Sequence, residues 1–65
     1  MRIVVHTKHG VVYGIEKDYN ESYYRETGKF LERLGSVEYF SFETDEGEIY
    51  FTKAMIDDSL FILEK

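Results

Sequence analysis

Glu38-Tyr39-Phe40-Ser41-Phe42-Glu43-Thr44-Asp45-Glu46-Gly47-Glu48-Ile49-Tyr50-Phe51-Thr52 decides how this chain folds. Side chains of a strand point alternately to its two faces. A strand over 37–44, a turn at Glu46-Gly47 and a strand over 48–52 sort these residues cleanly. Phe40, Phe42, Ile49 and Phe51 fall on one face, and Tyr39, Ser41, Glu43, Tyr50 and Thr52 on the other. That is the pattern of a hairpin with one dry face. The expected register pairs Phe42 with Phe51 and Thr44 with Ile49.

Working outward, residues 2–7 are rich in β-branched side chains and read as a strand. Lys8-His9-Gly10 reads as a turn, and 11–15 as a second strand. A three-residue loop with Gly10 left-handed pairs Thr7 with Val11, Val5 with Tyr13 and Ile3 with Ile15. This register gathers Ile3, Val5, Val11, Tyr13 and Ile15 on one face. Val4, His6, Val12 and Gly14 then lie on the other. A glycine inside a strand, as at Gly14, signals a bend or a close backbone approach.

A helix is expected between the hairpins, with Asp18 and Glu21 as a capping-box-like start and Gly35 as its stop. Tyr23, Thr27, Phe30, Leu31 and Leu34 recur at helical spacing. Gly28 in its middle suggests a kink or a close approach to the sheet. After the second hairpin, 53–58 reads as one helical turn capped by Thr52. Residues 59–64 form a last strand, apolar on both faces, as in a strand that is central in a sheet or covered on both sides. Neither an internal repeat nor a linker is evident. The fold class is therefore α+β, one domain over 1–65 in the order β-β-α-β-β-β. A mainly antiparallel sheet or half-open barrel carries one helix on one face.

Composition narrows the function. A chain of 65 residues forms one small core, and such cores often need a staple. With no cysteine there is no disulfide. Six tyrosines and five phenylalanines leave aromatic packing or self-association as the way to stability. The absence of cysteine and of a leader-like start favours the cytoplasm, and no apolar run is long enough for a membrane span. The formal net charge is −5. Residues 1–33 carry six basic and five acidic side chains, whereas 34–65 carry two basic and eight acidic.

No catalytic, metal or cofactor pattern is present, so an enzyme is not expected and no cofactor is implied. His6 and His9 have no nucleophile or paired carboxylate placed by spacing beside them. Asp45-Glu46-Gly47-Glu48 lacks the frame of a calcium loop, and the glycines never form a phosphate-cradling motif. Three readings concern binding. The leading one is a protein–protein interaction module, self-associating as a homodimer through its sheet. Its candidate interface is Tyr39, Tyr50, Phe61 and Leu63, because tyrosine gives large contact area at low entropy cost. The second is nucleic-acid binding through the helix stripe Arg25, Lys29 and Arg33, offset by Glu21, Glu26 and Glu32 and disfavoured by the acidic charge. The third is an acidic mimic that presents Glu43, Asp45, Glu46 and Glu48 to a basic site on a partner.

Overall fold

The computed structural model describes all residues, Met1–Lys65. Five strands and two helices follow the expected order. Strands β1 (Arg2–Thr7) and β2 (Gly10–Tyr13) form the first hairpin. Helix α1 (Glu21–Glu32) and a short 3-10 turn (Leu34–Ser36) lead to β3 (Tyr39–Thr44) and β4 (Gly47–Thr52). The single-turn helix α2 (Lys53–Asp57) then leads to β5 (Leu60–Glu64). All strand pairs are antiparallel, in two sheets of order β2-β1-β5 and β3-β4. No closed barrel forms.

Both hairpins turn in the same way. Thr7 and Gly10 pair across one turn, and Thr44 and Gly47 across the other, so each loop has two residues. In each, the threonine hydroxyl donates to the glycine carbonyl at 2.8 Å and accepts from the backbone N–H two residues on. Both glycines have positive φ, +134° and +119°, which side chains resist. The Thr-x-x-Gly turn is thus a short repeat that the sequence pattern did not reveal.

The tight first turn corrects the expected register by one residue. Val5 pairs with Val12 and Val4 with Tyr13. A one-residue slip moves a strand's side chains to the opposite face, so Val12 turns inward while Val11 and Tyr13 turn outward. In the second hairpin Phe42 pairs with Ile49 and Phe40 with Phe51. That is a two-residue slip from the expected pairing, and it leaves every face as read.

The core lies between the inner faces of the two sheets. Val5, Leu34, Phe40, Phe42, Phe51 and Ile56 are buried together. Phe42 and Phe51 stack at 5.8 Å, and Phe61 of β5 meets Phe40 and Phe51 edge-on at 5.7 and 5.6 Å. Such pairs contribute about 0.5–1.5 kcal/mol each beyond the area they bury. Gly14 is where the hairpins meet: a Cβ there would lie 3.0 Å from the Ile3 carbonyl and 3.3 Å from Phe42.

Helix α1 is capped by Asn20, whose side chain accepts from the Tyr23 N–H at 2.9 Å, rather than by Asp18. Its half-buried face is Tyr24, Thr27, Gly28 and Leu31, and Tyr23 and Phe30 sit on the flanks. No residue of α1 is fully buried. The helix rests on β5, where Gly28 faces Leu63 and the Tyr24 hydroxyl donates to the Leu63 carbonyl at 3.2 Å. Thr52 caps α2 as expected. The last strand is an edge, not the centre: β1 occupies the middle of its sheet.

Candidate interaction surfaces

The register of β2-β1-β5 builds the outer face of the larger sheet row by row. Arg2 lies opposite Glu64; Val4 lies between Tyr13 and Ile62; His6 lies between Val11 and Leu60. Only Val4 is covered, at 4% exposure, and its covers are themselves open: Tyr13 52%, Leu60 62%, Val11 42%, Ile62 38%. The first row is electrically closed. Arg2 donates from Nε to Glu64 at 2.7 Å and its guanidinium sits 4.7 Å from the Tyr13 ring centre. The hydrogen bond to Glu64 raises the Arg2 pKa, opposed by desolvation and helped by the charges of Glu64, Glu16 and Tyr13. This face is apolar apart from His6, with one self-neutralised ion pair at its rim.

The outer face of β3-β4 has the opposite character. Its rows are Tyr39 with Thr52, Ser41 with Tyr50, and Glu43 with Glu48. Tyr39 and Tyr50 are each 65% exposed. Glu43 and Glu48 face each other directly, which destabilises a strand pair. The chain has four ion pairs: Met1 amino group with Glu16, Arg2 with Glu64, Lys8 with Asp58, and Arg25 with Glu21. None reaches Glu38, Glu43, Asp45, Glu46 or Glu48.

Phe61 and Leu63 point inward. The Phe61 ring is locked between Phe40 and Phe51, and Leu63 is half-buried beneath α1. The outward pair on β5 is Leu60 and Ile62. Tyr39 and Tyr50 do face solvent, on the other sheet from β5. Arg25, Lys29 and Arg33 are all exposed on α1 and its C-cap. Arg25 is already engaged by Glu21 at 3.2 Å. His6 lies on the outer face of β1 and His9 in the first turn, both exposed.

A second ionisable group, beside Arg2, is perturbed near the chain start. Glu16 accepts from the Met1 amino group at 2.6 Å, and this bond holds its carboxyl below the ordinary range, opposed by desolvation and helped by the charges of the amino group and Arg2. The same amino group donates to the Lys17 carbonyl, and the Lys17 N–H returns a bond to the Met1 carbonyl at 2.8 Å. The strand start is thereby tied to the segment after β2.

Val4, Val11, Tyr13, Leu60 and Ile62 were not singled out as a surface by the sequence pattern. The signal was available in the turn: Thr-x-x-Gly in both hairpins implies the same loop length, and the second hairpin's alternation requires that length to be even, which is enough to turn Val11 and Tyr13 outward. No helix is long and apolar enough to cross a membrane. Comparison with family models, curated proteins and solved structures finds no match.

Proposed function

We propose that this chain is a protein–protein interaction module that self-associates through the outer face of β2-β1-β5. The observation that carries the reading is the open apolar set Val11, Tyr13, Leu60 and Ile62 around a covered Val4. The total accessible surface of 4734 Å² exceeds the roughly 4,300 Å² typical of a monomer of this mass. Charge selects the occupant. A twofold dimer places a patch against itself, so a face whose only charges neutralise each other meets no repulsion from its copy. The face of β3-β4 would set Glu43 and Glu48 against their duplicates. Two copies of the larger sheet can close face to face at about 10 Å, as sheets in sandwiches do. The enzyme-free character and the absence of a cofactor belong to the same proposal.

Light scattering at micromolar concentration tests it. The expected mass is twice the 7.7 kDa of the chain. Leu60→Lys with Ile62→Lys returns it to a monomer without unfolding it, because both side chains already reach solvent. Tyr50→Lys leaves the dimer intact. A parent chain that runs as a monomer sinks the reading.

A further inference from the structure

The backbone of β2 carries an unfinished ladder. In an antiparallel pair, residues alternate between bonding the neighbour and pointing away from it. Gly14 donates to the Ile3 carbonyl at 2.7 Å, so Gly14, Val12 and Gly10 are turned to β1. The intervening residues Val11, Tyr13 and Ile15 turn their N–H and C=O groups to the free edge. Ile15 makes one bond there, donating to the Glu43 carbonyl of β3 at 3.0 Å. Beyond that rung the second hairpin diverges, and neither Val11 nor Tyr13 finds a partner among the bonds outside the regular elements. The chain has 36 backbone–backbone hydrogen bonds. Over 65 residues that is just over half a bond per residue, against roughly 0.7 in a typical domain.

Next to this open edge lie two adjoining cavities that share Val12 and Ile49. One, of about 400 Å³, is floored by Val12, Ile49 and Phe51, with Met55 and the Lys8–Asp58 ion pair also lining it. The other, of about 530 Å³, runs between Val11–Tyr13 and the second turn, along Asp45, Glu46 and Glu48. The two differ in chemistry, and strand periodicity reads both at once. A strand laid beside β2 sends alternate side chains inward, level with Val12, and outward, level with Val11 and Tyr13. Inward positions meet the apolar floor. Outward positions meet carboxylates that no cation of this chain neutralises.

We infer that the free edge of β2 takes an extended segment of another protein as an added strand, and that this segment alternates apolar with basic residues. Main-chain bonds to Val11 and Tyr13 supply the docking, and the alternating side chains supply the selectivity, as in other cases of strand addition. The edge uses the main chain of Val11 and Tyr13, whose side chains belong to the outer face. Peptide binding is therefore read on the Leu60→Lys, Ile62→Lys variant as well as on the parent chain, and it is expected in both whether or not the parent dimerises.

The probe is a synthetic acetylated peptide alternating lysine and valine, titrated into the full chain and followed by amide NMR and hydrogen exchange. Binding is expected, with the Val11 and Tyr13 amides slowed. Two further peptides keep every side chain and charge but carry N-methyl groups on either the lysine or the valine amides. One of the two loses affinity by about tenfold or more, since only alternate amides face β2, and the other binds as before. A glutamate–valine peptide does not bind. Val11→Pro removes an N–H that β1 does not use and weakens binding to a similar degree, with the fold checked by circular dichroism. Equal binding by both methylated peptides, or binding without protection of Val11 and Tyr13, overturns the inference. So does no binding by the lysine–valine peptide.

Discussion

The two hairpins are built on one plan and finished differently. Each turns through Thr-x-x-Gly with the same pair of hydroxyl bonds, and each sends one row of apolar side chains into a shared core. Their backs diverge. Behind the first lie Val11 and Tyr13 beside Val4; behind the second lie Tyr39 and Tyr50 with Glu43 set against Glu48. Folding requires the turns and the inner rows of both. It requires neither the apolar back of one nor the like-charge pair of the other, and both of these work against an isolated monomer. Features that cost a small domain stability are the ones to assign to partners.

The largest expected effect separates inside from outside within one strand. Phe51 is 2% exposed and packs on Phe42 and Phe61, whereas its neighbour Tyr50 is 65% exposed. Phe51→Ala is expected to cost about 3–5 kcal/mol. A core this small rarely supplies more than about 3–5 kcal/mol in total, so the variant is largely unfolded in water. Tyr50→Ala stays within about 0.5 kcal/mol of the parent. Urea denaturation followed by circular dichroism reads both. A Tyr50→Ala loss approaching that of Phe51→Ala breaks the assignment of faces in the second hairpin.

The turns should then behave as equals. Gly10 and Gly47 hold φ of +134° and +119°, and an added Cβ at either meets nothing within 4 Å. The cost of Gly10→Ala and Gly47→Ala is therefore backbone strain alone, about 1–3 kcal/mol each. Similar losses in the two denaturation midpoints confirm that the hairpins share a turn despite their different backs. A neutral Gly10→Ala would mean that Gly10 does not need its positive φ, and that the first hairpin does not share the turn of the second.

The dependence of face on register explains what was legible in the sequence. The order of elements, the single helix and the Phe-in, Tyr-out division of the second hairpin follow from periodicity. There, Phe40, Phe42, Ile49 and Phe51 alternate with polar residues, so a register error of two residues changes no face. The first hairpin offers Ile3-Val4-Val5 and Val11-Val12-Tyr13, apolar at consecutive positions, so periodicity cannot choose between faces. Loop length chooses, and a slip of one residue hides the outer surface. The same ambiguity runs through Leu60-Phe61-Ile62-Leu63, where an apolar run suits a buried centre or an exposed edge equally. Only the pairing of Val4 with Ile62 and of Val5 with Phe61 decides which residues are free. For α1, Tyr23 and Tyr24 are adjacent and equally apolar. The hydrogen bond from Tyr24 to Leu63 turns the helix by one residue from the expected stripe.

The smallest expected effect carries a sign rather than a size. Glu43 and Glu48 sit directly opposite each other with no cation in reach, so Glu43→Gln removes a repulsion and should stabilise the chain, by at most about 1 kcal/mol. The matching change on the other sheet, Glu64→Gln, leaves a neutral amide oxygen in place of the carboxylate that accepts from Arg2, and the loss of that charge should destabilise the chain. Both positions are exposed, and both changes are the same loss of one carboxylate charge from a chain of net charge −5. A general benefit from lowering net charge would move the two variants the same way; local pairing moves them apart. Urea midpoints at low ionic strength distinguish these outcomes, and salt at about 1 M, where the screening length falls to about 3 Å, should shrink both shifts. A stabilising Glu64→Gln would remove the electrical closure of the outer β2-β1-β5 face, and with it the reason for placing a second copy there rather than on β3-β4.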